Sequence, residues 1–325
     1  MDRRAFLAGT VALLAAPLGA HAQQLAKLPT IGFLGASTPS GMSRWVAAFL
    51  DRLHELGWTE GRNVTIEYRW AEGRTERSAE IVAEFVRLKV NVIVTYGTAA
   101  VLVAKQATSV IPIVFAAAAD PVGNSLVSSL ARPGGNVTGI SLQQTDTTGK
   151  RFQLLRDLVP NLRRLAIIAH VASAGAMLEM RNLQALAGTL GLEASALEIR
   201  RPEDIAPAVE ALKGRAEALF VVVDPLLFAN RRQIHTLALG AQLLTICNYR
   251  EFTEEGCLMS YGPNYPDLWR RAADFVDKIL RGTKPNEIPV EQPTRFDLVV
   301  NLSTAKALRL TIPQSFLLRV DHFIE

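Results

Sequence analysis

The chain has 325 residues, 49% of them hydrophobic, and a formal charge of +4. That length supports two domains with substantial cores. The charge is too mild and too scattered for a nucleic-acid surface, because the basic pairs Arg163-Arg164, Arg200-Arg201, Arg231-Arg232 and Arg270-Arg271 form no stripe. Two cysteines, Cys247 and Cys257, exclude a disulfide scaffold and lack zinc-ligand spacing. Separated by nine intervening residues, they read either as a pair in an oxidising compartment or as two buried thiols. No histidine lies in an HExxH arrangement, so neither a metal centre nor a cofactor is expected.

At the start, Arg3-Arg4-Ala5-Phe6-Leu7 leads into an apolar run ending at Leu18, followed by Ala20-His21-Ala22. A charged start, an apolar centre and small residues two apart predict an export signal over residues 1–22, of twin-arginine-like or general secretory type. The run is short for a membrane span, which needs about 20 apolar residues, and Pro17 interrupts it. The mature chain is expected to begin near Gln23 and to reside in the periplasm.

Short β-branched runs then alternate with amphipathic segments, the pattern of a parallel sheet covered on both faces. Thr30 to Leu34 predicts a strand; Val46, Phe49, Leu50, Leu53 and Leu56 predict a helix stopped at Gly57. Strands follow at Val64 to Tyr68, Val92 to Tyr96, Ile111 to Phe115 and Val137 to Ile140, with a helix marked by Ile81, Val82, Phe85 and Leu88. The same grammar restarts at Leu165 to Ile168 and continues through Ala194 to Leu197, Ala218 to Val223, Leu243 to Ile246 and Leu258 to Ser260. The predicted class is α/β, with two similar doubly wound parallel-sheet lobes. A helix carrying Trp269, Ala272, Ala273, Val276, Ile279 and Leu280, a Pro-punctuated stretch, a strand at Phe296 to Val300 and a terminal helical region complete the chain. That tail implies recrossing between lobes, giving an expected division into residues 28–143 plus 262–288 and residues 144–261 plus 289–325. The cleft between them would be lined by strand carboxyl ends, where open α/β sheets bind ligands.

No catalytic constellation stands out. The loop after the first strand is neither GxGxxG nor GxxxxGKS, and there is no GxSxG elbow, so no catalytic residue is assigned. The strand exits instead offer small, polar and acidic groups suited to one small molecule: Ser37 and Thr38, Gly97 and Thr98, Ala118 and Asp120, His170, Asp224, Asn248 and Tyr249, and Tyr261. Thr98 opens a helix whose free N–H groups suit a carboxylate, unless it merely caps that helix. Asp120 and Asp224 divide between ligand contact and turn or cap. Tyr249 and Tyr261 offer rings for stacking, unless they are hinge packing.

Longer blocks carry a resemblance: Gly57-Trp58-Thr59-Glu60-Gly61-Arg62-Asn63-Val64, Asp120-Pro121-Val122-Gly123, Ala131-Arg132-Pro133-Gly134-Gly135-Asn136-Val137-Thr138-Gly139, Tyr249-Arg250-Glu251-Phe252 and Met259-Ser260-Tyr261-Gly262. The chain resembles the ABC transporter substrate-binding proteins of the tryptophan/tyrosine type, with the type 1 periplasmic-binding fold. The resemblance implies a monomeric, non-catalytic receptor that closes on a small solute and presents it to an ABC permease with a cytoplasmic ATPase. Aromatic amino acids are the best-known ligands of related proteins. Here Ala169-His170-Val171-Ala172-Ser173 stands where an Asn-Pro type loop is expected, and Cys247-Asn248-Tyr249 departs from the usual aromatic pair. The other readings are a periplasmic ligand sensor for a receptor kinase and an α/β enzyme. A DNA-binding regulator with the same sensory fold is excluded in practice, because the export signal occupies the place where a helix-turn-helix would be needed.

Overall fold

The computed structural model describes residues 28–325 except Val223, with the side chains of residues 144–146 left aside. The expected export signal over residues 1–22 lies outside the described residues, as does Gln23. No helix among the described residues is long and apolar enough to cross a membrane.

The first half alternates strand and helix: β1 (Thr30–Gly35), α1 (Ser43–Glu55), β2 (Thr65–Trp70), α2 (Thr75–Leu88), β3 (Val92–Thr95), α3 (Thr98–Ala107), β4 (Ile113–Ala118) and β5 (Val137–Ser141). Its five strands lie in the order β2-β1-β3-β4-β5, all parallel. α1 buries Trp45, Phe49 and Leu53 at four-residue spacing, the stripe that seats a helix on a sheet. β4 begins two residues later than its apolar run implies. Pro112 interrupts the run, and the Ile111 carbonyl accepts instead from the Asn136 side-chain amide at 2.7 Å.

The second half comprises α4 (Gln144–Leu158), β6 (Arg164–His170), α5 (Ala174–Thr189), β7 (Glu193–Ile199), α6 (Ile205–Glu210), β8 (Ala218–Val221), α7 (Pro225–Ala229), α8 (Arg231–Gly240), β9 (Leu244–Cys247), α9 (Arg250–Glu254) and β10 (Met259–Pro263). α10 (Tyr265–Leu280), β11 (Phe296–Asn301), α11 (Leu302–Ala307), α12 (Gln314–Leu317) and β12 (His322–Ile324) follow. The seven strands run β12-β11-β10-β9-β8-β6-β7, parallel except for the antiparallel pair β10 and β11. The terminal region is thus not wholly helical: His322, Phe323 and Ile324 pair with Val299, Val300 and Asn301 along the β11 edge.

α10 leaves the second sheet and packs on α1 and β4 of the first. Arg52 of α1 holds Asp274 of α10 at 2.8 Å, and the Trp58 indole donates to Asp277 at 2.8 Å. Returning, the chain lays Glu291 beside β5, where Ser141 N–H donates to the Glu291 carbonyl at 2.8 Å. The chain therefore crosses between sheets after β5, after β10 and before β11. The carboxyl ends of the strands, except the reversed β11 and β12, open onto the space between the two sheets.

Candidate functional site

Gly97 ends the turn after β3 with φ of +82°, a left-handed conformation that glycine adopts without a Cβ penalty. It occupies the N-cap of α3 and brings no side chain, so among the described residues no side chain caps the first N–H groups of that helix. Thr98 is not the cap. It is the first helical residue, its hydroxyl donating to the Ala119 carbonyl at 3.4 Å.

Across the cleft, Asp224 caps α7 by accepting from Leu227 N–H at 2.9 Å. Its second oxygen holds Nδ1 of His170, at the end of β6. Both side chains are buried. Burial lowers the His170 pKa, but the hydrogen bond to Asp224 and its charge outweigh that, and the net shift is upward. Ser173 caps α5, its hydroxyl accepting from Ala176 N–H at 3.3 Å.

The two walls touch. A Cβ at Gly97 would lie 3.0 Å from Pro225 Cγ, and one at Gly175 would lie 3.0 Å from the Thr98 hydroxyl and 3.1 Å from the Ala119 Cβ. Tyr96, Gly97, Thr98 and Ala119 of one wall and Ser173, Asp224, Pro225 and Tyr249 of the other enclose a cavity of about 20 Å³, room for roughly one water.

Beside the cavity lies an aromatic cluster that no sequence pattern announced. Trp45 of α1 stacks on Phe228 of α7 at 4.7 Å and on Tyr265 of α10 at 4.8 Å, and Tyr96 meets its edge at 5.4 Å. Tyr249 sits 3.8 Å from Tyr265 between ring centroids. The Trp45 indole N–H donates to Glu251 Oε1 at 2.6 Å, and Arg44 pairs with Glu254 at the rim. Burial raises the pKa of Glu251, and likewise those of Tyr96, Tyr249 and Tyr265. The hydroxyls of Ser37, Tyr96 and Tyr265 and the Asn248 carbonyl oxygen are buried without hydrogen-bond partners of normal geometry among the described residues. Polar groups left this way are ready to meet a ligand or water.

Of the residues singled out from sequence, Gly97, Thr98, Asp224 and Tyr249 line the cavity. His170 reaches it through Asp224. Ser37 and Asn248 are buried, their side-chain oxygens without hydrogen-bond partners of normal geometry among the described residues. Thr38 is turned to its own loop, accepting from Gly41 N–H at 3.2 Å, and Asp120 closes a turn by accepting from Gly123 N–H at 2.9 Å. Ala118 is a buried β4 residue whose neighbours Ala117 and Ala119, not itself, line the cavity. Tyr261 lies elsewhere, stacked on Phe296 at 5.9 Å between centroids and packed on the core of the second sheet.

A larger concavity of about 730 Å³ lies between α4, α5 and α12, lined by Phe152, Leu186, Leu190 and Phe316 among others. It sits toward the far end of α5, where Leu186 and Leu190 lie about 18–24 Å along the helix from its cleft end. The buried polar groups and helix N-termini gather at the cleft, which is the better candidate.

The family profile described as "ABC transporter substrate binding protein" matches residues 37–324. A tyrosine-binding protein of Clostridioides difficile (strain R20291) is 26% identical over 260 residues, covering 80% of this chain and 75% of its relative. Among solved structures, a conserved domain protein of Vibrio cholerae superposes with a TM-score of 0.86 at 26% identity, covering 91% of this chain and all of the other. An ABC domain from Streptococcus pneumonia in complex with L-Trp superposes at 0.84 with 24% identity, again covering 91% and 100%. With the two-lobed fold and the shared cleft, the match over nearly the whole described chain decides the question: it belongs to the ABC transporter substrate-binding protein family.

Proposed function

We propose that the chain is the periplasmic substrate-binding component of an ABC importer, exported by residues 1–22 and working as a monomer. It captures one small solute without turnover and presents it to a permease driven by a cytoplasmic ATPase. The lobe built on the first sheet, with α10 packed on it, moves as one body against the lobe built on the second sheet, closing over the solute by hinge motion at the chain crossings after β5, after β10 and before β11.

The observation that carries this reading is the meeting of the two walls, Gly97 against Pro225 and Gly175 against Thr98, around only about 20 Å³. A solute of amino-acid size enters only when the walls part, and once inside it touches both. Its carboxylate would lie at the N-terminus of α3, where unpaired N–H groups, the positive end of the helix dipole and the Thr98 hydroxyl converge. Its apolar part would lie against Tyr249 and Tyr96. Similarity to a tyrosine-binding protein and to a tryptophan complex favours an aromatic solute.

Asp224, placed where an amino group would be received, is engaged on both oxygens by Leu227 N–H and His170. An ammonium must compete with His170. Aromatic carboxylates without an amine should therefore bind at pH 6 at least as well as tryptophan or tyrosine, and the amino acids should gain as pH rises and His170 loses its proton. Calorimetric titration of the mature chain from Gln23 with tryptophan, tyrosine and phenylacetate at pH 6 and 8.5 tests this. Saturable one-to-one binding with the solute recovered unchanged is expected. Product formation, or no binding of any carboxylate-bearing aromatic, would contradict it.

A further inference from the structure

Behind the cleft wall, three soft or borderline ligands converge. His235 of α8, Cys247 at the end of β9 and Cys257 just before β10 place one ligand atom each within 4.8 Å of one another. His235 is 2% exposed and both cysteines are fully buried. Cys247 Sγ lies 3.9 Å from His235 Nε2, and both thiols are free. The positions are 12 and 10 residues apart, a spacing unlike any zinc signature, and the packing of α8 on β9 together with the pairing of β9 and β10 brings them together.

We propose that these three residues form a buried binding site for a soft d10 cation, with zinc the best-matched charge. An ion at the centre of a triangle with sides of 4.8 Å or less lies within about 2.8 Å of each corner. Zinc needs roughly 2.3 Å to sulfur and 2.0–2.1 Å to nitrogen, so small side-chain rotations suffice. In tetrahedral zinc geometry neighbouring ligand atoms stand about 3.5–3.8 Å apart, close to the observed nitrogen-to-sulfur distance.

The donor set is also electrically suited. His235 is buried with Nε2 turned toward Cys247 Sγ, the nitrogen that a shared ion would meet. Nδ1 is buried without a hydrogen-bond partner among the described residues. On binding, each thiol gives up its proton; two thiolates and one divalent ion sum to zero, the balance a solvent-free position tolerates best. Cys247 adjoins Asn248 and Tyr249, and the Phe252 ring contacts both His235, at 5.5 Å, and Tyr249, at 5.7 Å. An ion here would brace the strand exit that carries Tyr249.

The test uses the mature chain, reduced with a non-chelating phosphine, equilibrated with Zn²⁺ and passed over chelating resin. Metal content is then measured by mass spectrometry and free thiols by alkylation. The expected result is about one zinc per folded chain, both thiols protected from alkylation, and a melting temperature raised by several degrees. His235→Gln, which keeps both cysteines, and Cys257→Ser should each lower retained zinc at least tenfold, with far-UV circular dichroism confirming the fold. Zinc retained equally by the Cys247→Ser/Cys257→Ser double variant would place the ion elsewhere and overturn the proposal. So would a folded, reduced wild-type chain that keeps no zinc and whose thiols alkylate at the same rate with and without the ion.

Discussion

The two strand exits that meet at the cleft are built oppositely. After β3, Gly97 adopts φ of +82° and contributes no side chain, so the opening N–H groups of α3 stay unclaimed. After β8, Pro225 has no N–H to offer, and Asp224 takes the N–H of Leu227 while holding His170. One wall is a donor surface awaiting an anion; the other has already satisfied itself and presents a buried ion pair. Equivalent places in two similar lobes thus carry different chemistry, and a solute bridging them as proposed would meet an asymmetric pair of walls.

Removing the second wall's internal satisfaction should have the largest effect. Asp224→Ala uncaps α7 and leaves His170 buried without its partner, an expected loss of about 3 kcal/mol in stability, read by urea unfolding. Asp224→Asn keeps a cap acceptor and should lose clearly less. The gap between this variant and wild type should depend on pH. Because the folded His170 pKa is raised, the charged pair contributes fully below about pH 6.5 and fades as pH rises through the folded value. Unfolding curves at pH 5.5 and pH 9 should therefore show the Asn variant closer to wild type at the higher pH.

Next comes the first wall. Gly97→Ala places a Cβ on a left-handed residue, for about 1–2 kcal/mol of stability, and 3.0 Å from Pro225 Cγ. Solute affinity should fall at least tenfold as well, measured by calorimetry. An affinity unchanged beyond the stability loss would mean that the walls need not meet. The smallest effect is expected of Thr98→Val. Stability should shift by about 1 kcal/mol, the net worth of one hydrogen bond, while carboxylate-bearing solutes weaken several-fold and uncharged analogues do not.

Most of the fold was legible because buried parallel strands are written as Val, Ile and Leu runs, as in Ile31 to Leu34 and Leu219 to Val222. β12 was not legible: three residues, His322 to Ile324, become a strand only because the β11 edge is there to pair with. In the site, Gly97, Thr98, Asp224 and Tyr249 could be named because strand carboxyl ends are where such sheets bind ligands. Trp45 escaped notice because it stands four residues before Phe49 on α1 and reads as ordinary core; its stacking on Phe228 depends on how the lobes sit together. Tyr261 was misplaced because alternation along β10 turns it, opposite Leu298, toward Phe296 rather than the cleft. The cluster of His235 with the two cysteines has no sequence period at all.

Gly175→Ala tests the central claim, closure of two unlike walls over a solute, most directly. Gly175 lies in the first turn of α5 without a positive φ, and an added methyl meets the Thr98 hydroxyl and the Ala119 Cβ of the opposite wall. Alanine favours a helix by up to about 1 kcal/mol over glycine, so the solute-free lobe should be no less stable. Binding should weaken, because the walls can no longer meet. Calorimetry with the tightest solute, run beside unfolding of the solute-free protein, should therefore show stability held or raised and affinity lowered at least several-fold. Wild-type affinity in the variant would contradict the account.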